Sequence, residues 1–158
     1  MKGYKIEGKE IFSVLTPKQV DEISDIAIIK NSEEGEILFN QGEHAKNFHI
    51  LLEGEVVLEL PSSKDTNYEN FSLEIERIKG HGVFGPGLLF GMKRFITRAR
   101  TTKPSKIMII DSERFVEIIR KNKSEFPIMS YLAKVYFQRY IGAMKEFQQY
   151  IERRKIFE

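Results

Sequence analysis

The chain has 158 residues, no cysteine, and 25 Lys and Arg against 23 Asp and Glu, a formal charge of +2. That length supports one hydrophobic core without staples, while the missing cysteines exclude a disulfide scaffold and thiolate metal sites. Balanced charge gives no general argument for nucleic-acid or membrane binding, and with neither a signal-peptide centre nor a run of about 18 apolar residues, a soluble cytoplasmic protein is expected.

One domain over 1–158 is expected, in four parts. Residues 11–25 form an N-terminal helical unit. Ile11, Phe12, Val14 and Leu15 anchor it, Thr16 is the N-cap, Pro17 takes the first helical position, and Gln19 stands three residues after the cap. Residues 26–110 are short runs of β-branched and aromatic residues broken by glycine, which predicts an antiparallel sandwich or barrel. The polar stretch PSSKDTNYEN between Leu60 and Phe71 reads as an exposed, mobile hairpin loop. Residues 111–123 follow as a short helix capped by Asp111 or Ser112, with Phe115, Ile118 and Ile119 inward.

Residues 124–155 then read as a long C-terminal helix that starts at Ser124 and tolerates Pro127 in its first turn. It carries two apolar stripes, one with Leu132, Tyr136, Tyr140, Ala143, Phe147 and Tyr150, the other with Phe137, Ile141, Met144 and Ile151. So wide an apolar surface covers its own domain and something else. Gly142 and Ala143 allow another backbone to approach, and a homodimer through Leu132, Tyr136, Tyr140, Ala143 and Phe147 is expected. The other reading packs the second stripe on the N-terminal helix or on a further part of a longer protein.

The run GEILFNQGEHAKNFHILLEGEVVLEL carries Gly35 before a strand, Gly42-Glu43 at its end, and then Glu53-Gly54-Glu55-Val56. These features resemble the cyclic nucleotide-binding domain, the module of the bacterial cAMP receptor protein and of cyclic-nucleotide-dependent kinases and channels. The resemblance covers 11–155. It implies an antiparallel β-roll of the jelly-roll kind, mostly β with flanking helices, and a regulatory rather than an enzymatic role.

It also locates a phosphate-binding cassette. In the family, Phe-Gly-Glu leads into a one-turn helix with Ala-Leu-Leu, followed by an Arg-Ala-Ala-Thr-like run. Backbone N–H groups and the arginine hold the cyclic phosphate, and the glutamate accepts from the ribose hydroxyl. Here VFGPGLLFGMKRFITRARTT supplies Phe84-Gly85 and Leu88-Leu89 for the first part and Arg98-Ala99-Arg100-Thr101 for the second. The resemblance makes Arg98 the phosphate arginine, and Gly85, Pro86, Gly87, Leu88, Arg98, Ala99, Arg100 and Thr101 the ligand-binding residues.

The departures fall on the sugar side. Pro86 stands at the glutamate position, removing an acceptor and a backbone donor. Gly87 loosens the short helix, the loop before Arg98 is two or three residues longer than usual, and Arg100 replaces a small residue. Loss of one such acceptor costs about 1–3 kcal/mol, or roughly ten- to a hundredfold in affinity. Three readings stay open: a cyclic nucleotide such as cAMP or cGMP in an altered pose, with Lys93 or Arg94 adding contacts; another small anionic or apolar ligand in the same pocket; or a scaffold for dimerisation or a partner protein that has lost nucleotide binding.

Other chemistry is weakly signalled. His44, His49 and Glu53 lack the His-x-His pair of a cupin metal site, and no serine stands in a Gly-x-Ser-x-Gly elbow, so neither a metal nor a catalytic residue is assigned. The chain stops at ERRKIFE, which leaves no room for a helix-turn-helix, and direct DNA binding is not expected. Arg153, Arg154 and Lys155 suit the negative end of a helix dipole.

Overall fold

The computed structural model describes residues 10–62 and 72–155; most of the PSSKDTNYEN stretch lies outside them. A 3-10 helix (Glu10–Phe12) precedes α1 (Pro17–Ile26). Eight strands follow: β1 (Ala27–Ser32), β2 (Ile37–Phe39), β3 (Asn47–Glu53), β4 (Glu55–Pro61), β5 (Ser72–Lys79), β6 (Val83–Phe84), β7 (Arg98–Thr101) and β8 (Ser105–Asp111). A second 3-10 helix (Gly87–Phe90) lies between β6 and β7, and α2 (Ser112–Lys121) and α3 (Glu125–Lys155) close the chain. The strands form two antiparallel four-stranded sheets, ordered β1-β8-β3-β6 and β2-β7-β4-β5. This is the β-roll with flanking helices that the sequence resemblance implies.

Local signals explain the element ends. Thr16 and Gln19 form a reciprocal capping box at α1, worth about 1 kcal/mol, and Asp111 caps α2 by accepting from the Arg114 N–H at 3.0 Å. Gln19 is also fully buried, because its Nε2 donates to Ser124 Oγ at 2.8 Å and ties α1 to the start of α3. Gly35, Gly42 and Gly54 all adopt positive φ at strand ends. At Gly54 a Cβ would also lie 2.3 Å from Ser105 Oγ, so both conformation and space demand glycine.

Two cores result from strand alternation. Between the sheets, Phe39, Leu51, Val56, Leu58, Phe84, Ala99 and Ile107 fill the roll. On the other side of the first sheet, Phe48, Ile50, Met108 and Ile110 pack against Phe115 and Ile119 of α2 and Ile128 and Leu132 of α3. Strands β3 and β8 feed both cores, which is why they read as nearly continuous apolar runs. The register of β3 shifts between Leu51 and Glu53, so His49 is buried while Glu53 is exposed, and simple alternation over FHILLEGE does not hold.

α3 is 31 residues long, roughly 46 Å at 1.5 Å per residue. Its first turns pack on the roll, but from Met144 onward it is exposed. No described helix is long and apolar enough to cross a membrane.

Candidate ligand cavity between the cassette and the long helix

The cassette begins where β6 ends. Gly85 has φ +71°, and a Cβ there would lie 3.0 Å from the Phe95 ring and 3.2 Å from the Phe39 ring. Those two rings stack at 3.8 Å, and His49 stacks on Phe84 at 5.0 Å beside them, an aromatic buttress against the backbone of the turn. Burial holds the His49 imidazole down at about 4, with a hydrogen bond at the Phe84 backbone opposing the shift. Pro86 then occupies the N-cap position of the 3-10 helix without a side-chain hydrogen bond, and Gly91 closes it in the left-handed region.

The loop after Gly91 is pinned, residue by residue, to the turn after β2. Phe95 N–H donates to Glu43 O at 2.9 Å, Gly42 N–H to Phe95 O at 2.8 Å and Ala45 N–H to Lys93 O at 2.9 Å, while His44 and Arg94 form a β-bridge. Arg94 adds an Nη1 bond to Gly42 O at 2.7 Å. This loop forms part of the rim of a cavity.

That cavity has a volume of about 410 Å³ and lies between the cassette, the β4–β5 surface and α3. Gly85, Gly87 and Phe90 form its cassette side, Leu58 and Ile75 its sheet side, and Tyr136, Tyr140 and Ala143 its helix side. The loop contributes Met92, Phe95 and Thr97, and among the described residues only three charged ones reach it: Glu76, Arg94 and Arg139. The volume and apolar lining are those of a small-molecule pocket.

Of the residues that the sequence assigns to a ligand, Gly85, Gly87 and Arg94 line this space, as do Tyr136, Tyr140 and Ala143 from the helix stripe. Pro86, Leu88 and Lys93 lie beside it without lining it. None of Arg98–Thr101 lines it. On β7, Ala99 turns into the roll core and Thr101 is fully buried, accepting the Glu36 N–H at 2.9 Å. Arg98 and Arg100 take the opposite face and both bind Glu59 of β4, Arg98 Nε to Oε1 at 2.8 Å and Arg100 Nε to Oε1 at 3.1 Å. Burial works to raise the Glu59 carboxyl, but hydrogen bonds from Arg100, Ser72 and Arg98 hold it below its ordinary value. The alternation Arg-Ala-Arg-Thr was the available signal, since a strand that buries Ala99 must turn both arginines away.

The buried cation at the cavity, beside the exposed Arg94, is one that no sequence motif singles out. Arg139 lies on the inner stripe of α3, three residues after Tyr136, and its side chain is only 10% exposed. Nη2 donates to Val83 O, Nε lies against Glu76 Oε2 as a charge contact, and the guanidinium carbon stands 5.4 Å from the Tyr136 ring centroid. Nη1 is buried without a hydrogen-bond partner. Burial pushes the Glu76 carboxyl above its ordinary value, against the pull of Arg139. An arginine inside an otherwise apolar helix stripe is the sequence signal that could have found this residue.

The chain belongs to the cyclic nucleotide-binding domain family, whose model matches residues 29–122. Among solved structures it is similar to a protein of Geobacter metallireducens GS-15 assigned to cyclic nucleotide binding, with 25% identity, TM-score 0.69 and coverage of 83% of this chain and 92% of that one. The sensor domain of the transcriptional regulator DNR from Pseudomonas aeruginosa shares the fold at 21% identity, TM-score 0.67 and 81% coverage of both chains. Thermus thermophilus catabolite activator protein does so at 14% identity and TM-score 0.68, with 87% of this chain covering 62% of that one. No curated protein matches the chain.

Proposed function

We propose that this domain is a ligand-sensing regulatory module, not an enzyme, whose cavity is coupled to a dimer interface through α3. One observation carries the reading: Tyr140 lines both the cavity and an apolar groove along the outer side of the same helix. That outer side bears Phe137, Tyr140, Met144, Phe147 and Ile151, in alternating steps of three and four residues, with exposures from 42% at Ile151 to 64% at Phe137. Such spacing is the a/d seam of a coiled coil, and a second copy of the same helix is the occupant it fits. A ligand that binds one setting of α3 better than another shifts the dimer equilibrium by that difference in affinity.

Cyclic nucleotide binding is weakened or altered in this reading. Pro86 offers neither carboxylate nor N–H where the family places its ribose contact, and Arg98 is engaged by Glu59. A thermal-shift titration with cAMP, cGMP and a cyclic dinucleotide, run beside Pro86→Glu, tests this. The substitution should tighten cAMP or cGMP binding by about ten- to a hundredfold. Micromolar binding by the unsubstituted chain, with no gain from Pro86→Glu, would overturn the assignment of Pro86. A domain that responds to no small molecule would instead be a structural scaffold.

A further inference from the structure

We infer that the cavity takes an apolar, flat organic acid whose carboxylate binds the Arg139 guanidinium, in exchange for or alongside Glu76. This rests on the sensing-module reading and names its ligand class.

The argument starts from unmet hydrogen-bonding capacity. An arginine offers five N–H donors, and here Nη2 is taken by Val83 O and Nε by the ion pair with Glu76, while Nη1 is buried with no acceptor. An orphaned buried donor of this kind is costly, and its cost is removed by an anionic acceptor from outside the chain. The planar fork of guanidinium matches a carboxylate in two-point contact. Glu76, 31% exposed, is the internal counter-charge of Arg139, which a ligand carboxylate would replace or join.

The rest of the cavity specifies the body of the ligand. Phe90, Phe95, Tyr136 and Tyr140 present aromatic surface, and Leu58 and Ile75 present aliphatic surface. Such walls favour flat, apolar groups over a ribose with its hydroxyls, for which the cassette side supplies no carboxylate. Arg94 stands exposed at the rim, where water satisfies the donors that Gly42 O does not, whereas Arg139 is the guanidinium with an unpartnered buried nitrogen.

The probes are 2-naphthoate and its neutral isostere 2-naphthamide, titrated calorimetrically into the full chain, with Arg139→Met and Glu76→Gln alongside and cAMP as a reference ligand. The acid should bind at least about tenfold more tightly than the amide. Arg139→Met should bring the acid down to the level of the amide. Glu76→Gln, which keeps the shape but removes the competing charge, should strengthen the acid severalfold and leave the amide unchanged; it also serves if Arg139→Met does not fold. Equal binding of acid and amide, or an acid weakened by Glu76→Gln, overturns the inference. If neither naphthyl compound binds but cAMP does, the ligand class is wrong and the sensing reading stands; if nothing binds, both fail.

Discussion

Arg98 and Glu59 pair across neighbouring strands at 2.8 Å, on the face of the second sheet that turns away from the roll's interior, and the carboxylate is only 3% exposed. The pair, shared with Arg100, is a structural clamp between β4 and β7. Arg98→Ala removes one of two guanidinium partners from a buried carboxylate and should lower the unfolding free energy by about 1–2 kcal/mol in urea titrations. Naphthoate affinity should be unchanged within about twofold, since Arg98 does not line the cavity and Arg139 does. The opposite pattern, unchanged stability with lost nucleotide binding, would return the phosphate site to Arg98, as the family resemblance implies.

Protonation supplies a second expectation. The folded-state value of His49 is depressed to about 4 by burial, so the unfolded chain takes up the proton first as pH falls. Its contribution is fully present above the ordinary histidine value of about 6.5 and is lost between there and about 4, amounting to about 3 kcal/mol. Glu55 acts lower: hydrogen bonds from Thr102 and Arg77 hold it at about 2, and its stabilisation is lost as pH falls from its ordinary range toward that value. Glu76 works the other way, because its raised carboxyl lets protonation favour the folded state. Urea unfolding from pH 7 to 5 should therefore show falling stability, and His49→Phe, which keeps a ring against Phe84, should flatten it. A slope that survives the substitution assigns the titration to another group.

The seam on α3 sets a third. Sedimentation at tens of micromolar should give about twice the 18.5 kDa chain mass. Phe137→Glu combined with Met144→Glu places like charges at two successive a positions and should yield a monomer with the roll still folded, because both side chains are exposed in the single chain. A wild-type monomer at that concentration removes the dimer from the proposed function.

The features legible from the residues alone are those that local chemistry dictates. Thr16 and Gln19 announce a capping box because a hydroxyl and an amide three residues apart satisfy each other's backbone donors. Gly35, Gly42 and Gly54 announce turns because positive φ penalises any Cβ, and their spacing resembles the β-roll family closely enough to imply the fold. The cassette at Gly85–Phe90 was visible for the same reason. Only packing between distant segments put Arg139, and not Arg98, at the cavity. Arg98 and Arg139 are 41 positions apart in a chain that could use either. Their roles depend on Ala99 turning inward, on Glu59 arriving opposite Arg98 from β4, and on one turn of α3 pressing Arg139 between Val83 and Glu76. These are contacts between distant segments, set by how sheet and helix pack, and no local propensity encodes them.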